Sequence, residues 1–194
     1  PELVAGLGPR LSAVRVVDLV GLLDRVRRDR REALREIPRA AALRVAQGGE
    51  GKPVADETLD GLMRNLARDM VPERQSQRHG LVVRRAALRS MPTNLRVFST
   101  SGDTDIDRFQ ESALFPGTPV VMVHRRRDQE WMFVVSGRYA ASIEVASVAE
   151  GSAAQVGGYA AGSPYRIITG ATAQTVFTRE QENVSRLQLD MGVR

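Results

Sequence analysis

The 194-residue chain carries 28 Lys+Arg against 23 Asp+Glu, is 42% apolar and 26% charged, and contains no cysteine. That balance belongs to a globular protein long enough to bury a core, and it excludes disulfides, thiolate metal sites and a cysteine nucleophile within these residues. Lys52 is the sole lysine, so the +5 net charge rests on arginine and reads as a compositional bias more than a nucleic-acid footprint. No uncharged run is both long and apolar enough to cross a bilayer; the longest, 151–165, is rich in Gly, Ala and Ser. The chain opens on Pro1 and not on Met, so the lack of a secretory signal within it excludes nothing about export.

Residues 12–37 read as one amphipathic helix. Val14, Val17, Leu22, Val26, Ala33 and Ile37 follow a helical period, Ser12 is placed to cap it and Pro38 stops it. Acids and arginines alternate over 24–36, which describes a solvated, salt-bridged face. Gln47-Gly-Gly-Glu-Gly-Lys-Pro53 is a flexible connector. A second helix follows, with Asp56 as N-cap and Leu59, Leu62, Met63, Leu66 and Met70 as its apolar stripe. From His79 short apolar runs alternate with turn residues: 81–83, 120–124, 131–135, 139–145, 165–169 and 175–177. Strands of this length and spacing indicate a small barrel over about 80–150. The clearest hairpin joins 121–124 to 131–135, with the latter read as a half-buried strand. The fold class is α+β, with a helical N-terminal part, a small barrel and the start of another strand-rich unit.

Little catalytic chemistry can be built from these residues. The two histidines, His79 and His124, lie in no metal-ligand spacing, and each reads as structural. His124 stands beside three arginines, which would hold its imidazole neutral. Asp103-Thr-Asp105-Ile-Asp107 begins like a calcium loop but has Arg108 and Leu114 where Gly and Glu are needed. Its aspartates are better turn formers, with a short turn expected at 107–112. Gly6-Leu7-Gly8 and Gly157-Gly158 with Gly162 read as loops and not as phosphate cradles. Arginine runs at 25–35, 84–85 and 125–127 lack the interleaved aromatics of a single-strand binder, since nine aromatics serve the whole chain. No metal, no cofactor and no nucleic-acid partner is expected, and no residue here is expected to be catalytic.

The block Gly80-Leu-Val-Val-Arg-Arg-Ala-Ala-Leu-Arg-Ser-Met-Pro-Thr93 leads into Asp105-Ile-Asp107-Arg-Phe-Gln110. Pro116-Gly-Thr-Pro-Val120, His124, Asp128 and Trp131-x-Phe133-Val134 follow. This order resembles the first bacterial SH3 domain of multi-domain NlpC-type cell-wall peptidases. The preceding helices look like the helical clip of such proteins. Pro164-Tyr-Arg-Ile-Ile-Thr-Gly170 and Leu189-Asp-Met-Gly192 are similar to the opening of their second SH3 domain. The resemblance implies a clip over 1–78, an SH3-like barrel over 79–150, and a linker with the start of a second SH3-like domain over 151–194.

In that family a papain-like domain with a Cys nucleophile follows, cutting peptidoglycan stem peptides between D-glutamate and diaminopimelate. The implied role of this chain is accessory: the clip braces the assembly and the barrel helps wall the substrate groove. The implied ligand contacts are Asp107, Gln110, Trp131 and Tyr139, and the implied partners are the stem peptide and a downstream catalytic domain. The implied location is the cell envelope or periplasm. Two positions depart from the family pattern: Ser142 stands where a Trp is usual, and Arg126 where a Ser is usual. If that Trp were packing, another residue must fill its space. The rival readings are a stand-alone wall-binding SH3 protein and, third, a basic nucleic-acid-binding protein.

Overall fold

The computed structural model describes residues 47–48, 52–70, 76–100, 102, 104–137 and 139–194. The helix expected over 12–37 with its arginine run, Gly6-Leu7-Gly8, and Asp103 lie outside the described residues.

Strand β1 (Gln47–Gly48) falls in the expected connector and pairs antiparallel with β4 (Val97–Phe98). Helix α1 (Asp56–Asn65) follows. Its N-cap is Ala55 and not Asp56; the backbone there is extended and no side chain caps the helix. Asp56 and Glu57 sit in the first turn instead, where carboxylates complement the positive end of the helix dipole. The apolar stripe packs as its spacing requires. Leu59 and Leu66 are buried against Met91, Val97 and Phe109, with Leu62 and Met63 at the margin. Met70, beyond the helix, is exposed.

The main body is a seven-stranded antiparallel sheet in the order β5-β3-β8-β7-β6-β2-β9. Its strands are β2 (Arg78–Val82), β3 (Ala86–Arg89), β5 (Gln110–Leu114), β6 (Pro119–Arg125), β7 (Trp131–Val135), β8 (Ala140–Glu144) and β9 (Val148–Gly151). Val82, Leu88, Val120, Met122, Met132, Val134, Ala141 and Ile143 form one apolar cluster on its inner face. Leu114 from one edge strand and Val148 from the other join the same cluster, so the sheet is rolled around it. The expected β6–β7 hairpin forms, with Val121 opposite Val135 and His124 opposite Phe133. All five residues of β7 are buried, not alternate ones. The reason is a second apolar cluster of Val121, Val123, Phe133 and Val135 on the opposite face. The turn expected at 107–112 ends early, because β5 begins at Gln110.

Where a loop was expected at Gly157-Gly158, helix α2 (Ala153–Ala161) stands. Ser152 and Gln155 close a reciprocal capping box that offsets the helix-weakening glycines. Neither 165–169 nor 175–177 is a strand; the second strand-rich unit is the pair β10 (Thr172–Gln174) and β11 (Gln188–Asp190). This unit is tied to the barrel. The Pro116-Gly117 turn has Gly117 at φ 85, and a Cβ there would meet the Tyr159 ring at 2.8 Å. The Tyr159 hydroxyl donates to the Arg194 carbonyl (2.9 Å), and the Arg194 guanidinium lies 3.8 Å from the Tyr165 ring centre. Arg85 faces Asp190 at 3.7 Å. No described helix is long and apolar enough to cross a membrane.

Candidate functional site

Strand register gathers the candidate residues more than their sequence separation suggests. Gln110 on β5 opposes Arg89 on β3, Arg89 opposes Ser142 on β8, Ser142 opposes Phe133 on β7, and Phe133 opposes His124 on β6. Directly opposed residues share a face, so these five form one row across the outer face of the barrel. Trp131 stands two residues from Phe133 on the same face, opposite Glu144. Tyr139 does not join them. It lies in the turn between β7 and β8, at the other end of the hairpin from Trp131, and its backbone is pinned there by Ser136. Gln110 and Trp131 therefore lie three strands apart on one face, Asp107 meets that face through its ion pair with Arg89, and Tyr139 stands apart.

Asp107 is held from three sides. One carboxylate oxygen accepts the backbone N–H groups of Val97 (3.1 Å) and Phe109 (3.0 Å), and the other pairs with Arg89 at 2.8 Å. Both side chains of that pair are nearly buried, at 6% and 9% exposure. Arg89 also donates to the Leu95 carbonyl (2.6 Å). The carboxylate thus fixes the two ends of the loop between β4 and β5. Arg96 and Arg108 brace the loop higher up, through the Thr104 carbonyl (3.0 Å) and the Ser99 hydroxyl (2.5 Å). Gln110 is exposed, and its amide donates to the Ser112 carbonyl. Trp131 is 5% exposed, whereas Tyr139 is 43% exposed. Solvent reaches Gln110 and Tyr139; Asp107 and Trp131 act from beneath the surface.

The β6–β7 turn, read from sequence as a hairpin turn carrying an arginine run, holds a polar network that reaches helix α1. Asp128 accepts the backbone N–H groups of Glu130 (2.9 Å) and Trp131 (3.2 Å), and its other oxygen accepts the Asn65 amide (2.6 Å). Arg127 pairs with Asp69 at 3.0 Å, and that hydrogen bond holds the Asp69 carboxyl below its usual range. Arg126 is fully buried. Burial holds the His124 imidazole below its ordinary value, and the Arg126 charge adds to this. The carbonyls of Leu66 and Ala67 and the Asp69 carboxylate oppose the shift. The sequence argument for a neutral His124 named its arginine neighbours; the larger cause is desolvation. Arg126 was missed as a structural centre because a charge run reads as surface, and Arg89 because a lone arginine gives no sign of its partner. Their common signal is positional: both meet the small Ser142, Arg89 as its cross-strand partner and Arg126 by hydrogen bond.

Among the described residues no group of three or more acidic or histidine side chains is placed to hold a metal ion. The arrangement offers a braced loop, an exposed Tyr and an exposed Gln.

A rolled antiparallel sheet with this braced loop is an SH3-type barrel, and residues 96–144 match the family model of the SH3 domain of SH3b1 type. Over 82% of its length the chain is also similar to a solved structure described as a novel NlpC/P60 endopeptidase from Photobacterium damselae subsp. piscicida. That similarity has a TM-score of 0.68 at 20% identity, a likeness of fold. The chain spans about a third (35%) of that protein's length. No curated protein matches the chain. The resemblance to the SH3 region of NlpC-type peptidases is thereby borne out in domain type and in fold.

Proposed function

We propose that this chain is the accessory, wall-recognising region of a peptidoglycan stem-peptide hydrolase of the NlpC type, and is not itself the catalyst. The observation that carries the reading is an SH3b1-type match lying within a fold shared with an NlpC/P60 endopeptidase. In this reading 1–78 brace the assembly, 79–150 wall a substrate groove, and 151–194 form a linker and the opening of a second SH3-like domain. The protein works in the cell envelope or periplasm, and its partners are the stem peptide and a downstream cysteine-peptidase domain. Gln110 and Tyr139 meet the ligand directly. Asp107 and Trp131 contribute from below, by holding the ends of the β4–β5 loop and the β6–β7 turn in shape.

Sedimentation of the 194-residue chain with insoluble peptidoglycan tests this. Retention is expected, reduced about tenfold by Y139A combined with Q110A, the loss that follows from removing two contacts of ordinary strength. Retention on DNA with a steep salt slope, and none on peptidoglycan, would overturn it. Binding in a complete reading frame without a downstream Cys and His would leave the stand-alone wall-binding protein as the answer.

A further inference from the structure

We propose that Arg126 is a positioning residue that moors helix α1 to the outer face of the barrel, and that Arg126 and Ser142 act as one unit sharing a single buried space. Arg126 is 0% exposed, yet among the described residues no carboxylate comes within ion-pair distance of it, and the Asp128 charge supports it from farther away. Its guanidinium instead reaches three elements. One amino group donates to the Leu66 carbonyl (2.9 Å) just past α1, and the other donates to the Ser142 hydroxyl (3.0 Å) on β8. The cation lies 5.1 Å from the Phe133 ring centre on β7.

These contacts answer a need of the helix. The last carbonyls of a helix have no intrahelical donor, and α1 leaves its final turn through Ala67 at φ 48 without a glycine. The carbonyls of Arg64, Asn65 and Leu66 are taken in turn by the Arg127 side chain (3.4 Å), the Arg127 backbone N–H (3.2 Å) and Arg126 (2.9 Å). The Asp128 backbone N–H adds a bond to the Asn65 side chain (3.0 Å). A cation at this helix end also meets the negative pole of its dipole. The β6–β7 turn is therefore the C-terminal cap of a helix some sixty residues away.

Ser142 completes the joint by being small. It is 0% exposed, and a large side chain there would occupy the volume of the guanidinium. Arg126 and Ser142 are thus the two ends of one buried hydrogen bond, and the short side chain on β8 leaves room for the guanidinium. Desolvation pulls the Arg126 pKa down to about 10, so the group stays charged at neutral pH.

Hydrogen exchange at the Arg127 and Asp128 amides reads the mooring, because both donate to Asn65 only while α1 is docked. The experiment uses the 194-residue chain, with far-ultraviolet circular dichroism reporting that the barrel is folded. R126S and S142W should each speed exchange at those amides about tenfold or more, while R126S/S142W recovers most of the protection because the indole takes the vacated space. R126K should fail to rescue, since one ammonium cannot span both acceptors and stack on the ring. Native exchange in S142W, or additive losses in the double variant, would overturn the proposal. If R126S does not fold, the cycle of R126K with S142A decides: the double should lose less than the sum, and additivity there overturns it equally.

Discussion

Asp107 shows how one carboxylate can organise a loop. Its two oxygens are divided between two backbone N–H groups and the buried Arg89 guanidinium. Asp107→Ala removes the charge partner and leaves Arg89 buried and unpaired, which should cost about 3–5 kcal/mol in urea denaturation. The link between Val97 and Phe109 should loosen as a consequence. His124 gives the chain a pH response of known sign. Its folded pKa lies below the unfolded value of 6.5, so the folded state prefers the neutral ring. That stability is whole above pH 6.5 and is lost as pH falls toward the folded pKa, at no more than about 1.4 kcal/mol per pH unit. Thermal midpoints measured between pH 7.5 and 5 should decline, and His124→Gln should flatten the decline. An undiminished slope in that variant would place the titrating group elsewhere.

Helix α1 is unevenly finished. Its C-terminal carbonyls are capped from the β6–β7 turn, whereas its N-terminus rests on Ala55 with no side-chain cap. Ala55 already has the extended backbone of an N-cap residue. Ala55→Ser should therefore raise stability by about 0.5–1 kcal/mol, read as a shift of the denaturation midpoint at unchanged slope. Helix α2 carries the opposite lesson. Gly157 and Gly158 argue against a helix on propensity, yet Ser152-x-x-Gln155 is a start signal that was legible in the sequence and outweighs them. Strand β5 was hidden for another reason. Its Gln110-Glu111-Ser112 run lies on an edge and is largely exposed, so it carries no apolar period to read.

At the scale of the molecule, the barrel and the unit after it are differently built. The barrel encloses a continuous apolar cluster, while β10 and β11 pair alone and leave Tyr165, Ile167, Val176, Phe177 and Met191 exposed. Two strands without a covered face contribute little stability by themselves. Val176→Ser together with Phe177→Ser should accordingly change the unfolding free energy of this chain by no more than about 0.5 kcal/mol. A loss of several kcal/mol would mean that these side chains pack in solution. The sequence alone determined the α+β class, the α1 stripe, the β6–β7 hairpin and the SH3 kinship. These are properties of local period, turn chemistry and residue order along the chain. Tertiary structure decided the rest. Register set Gln110, Arg89, Ser142, Phe133 and His124 in one row and left Tyr139 at the far end of its hairpin. Burial turned an arginine run into a helix cap, because whether a cation meets water or a carbonyl depends on which distant segment covers it.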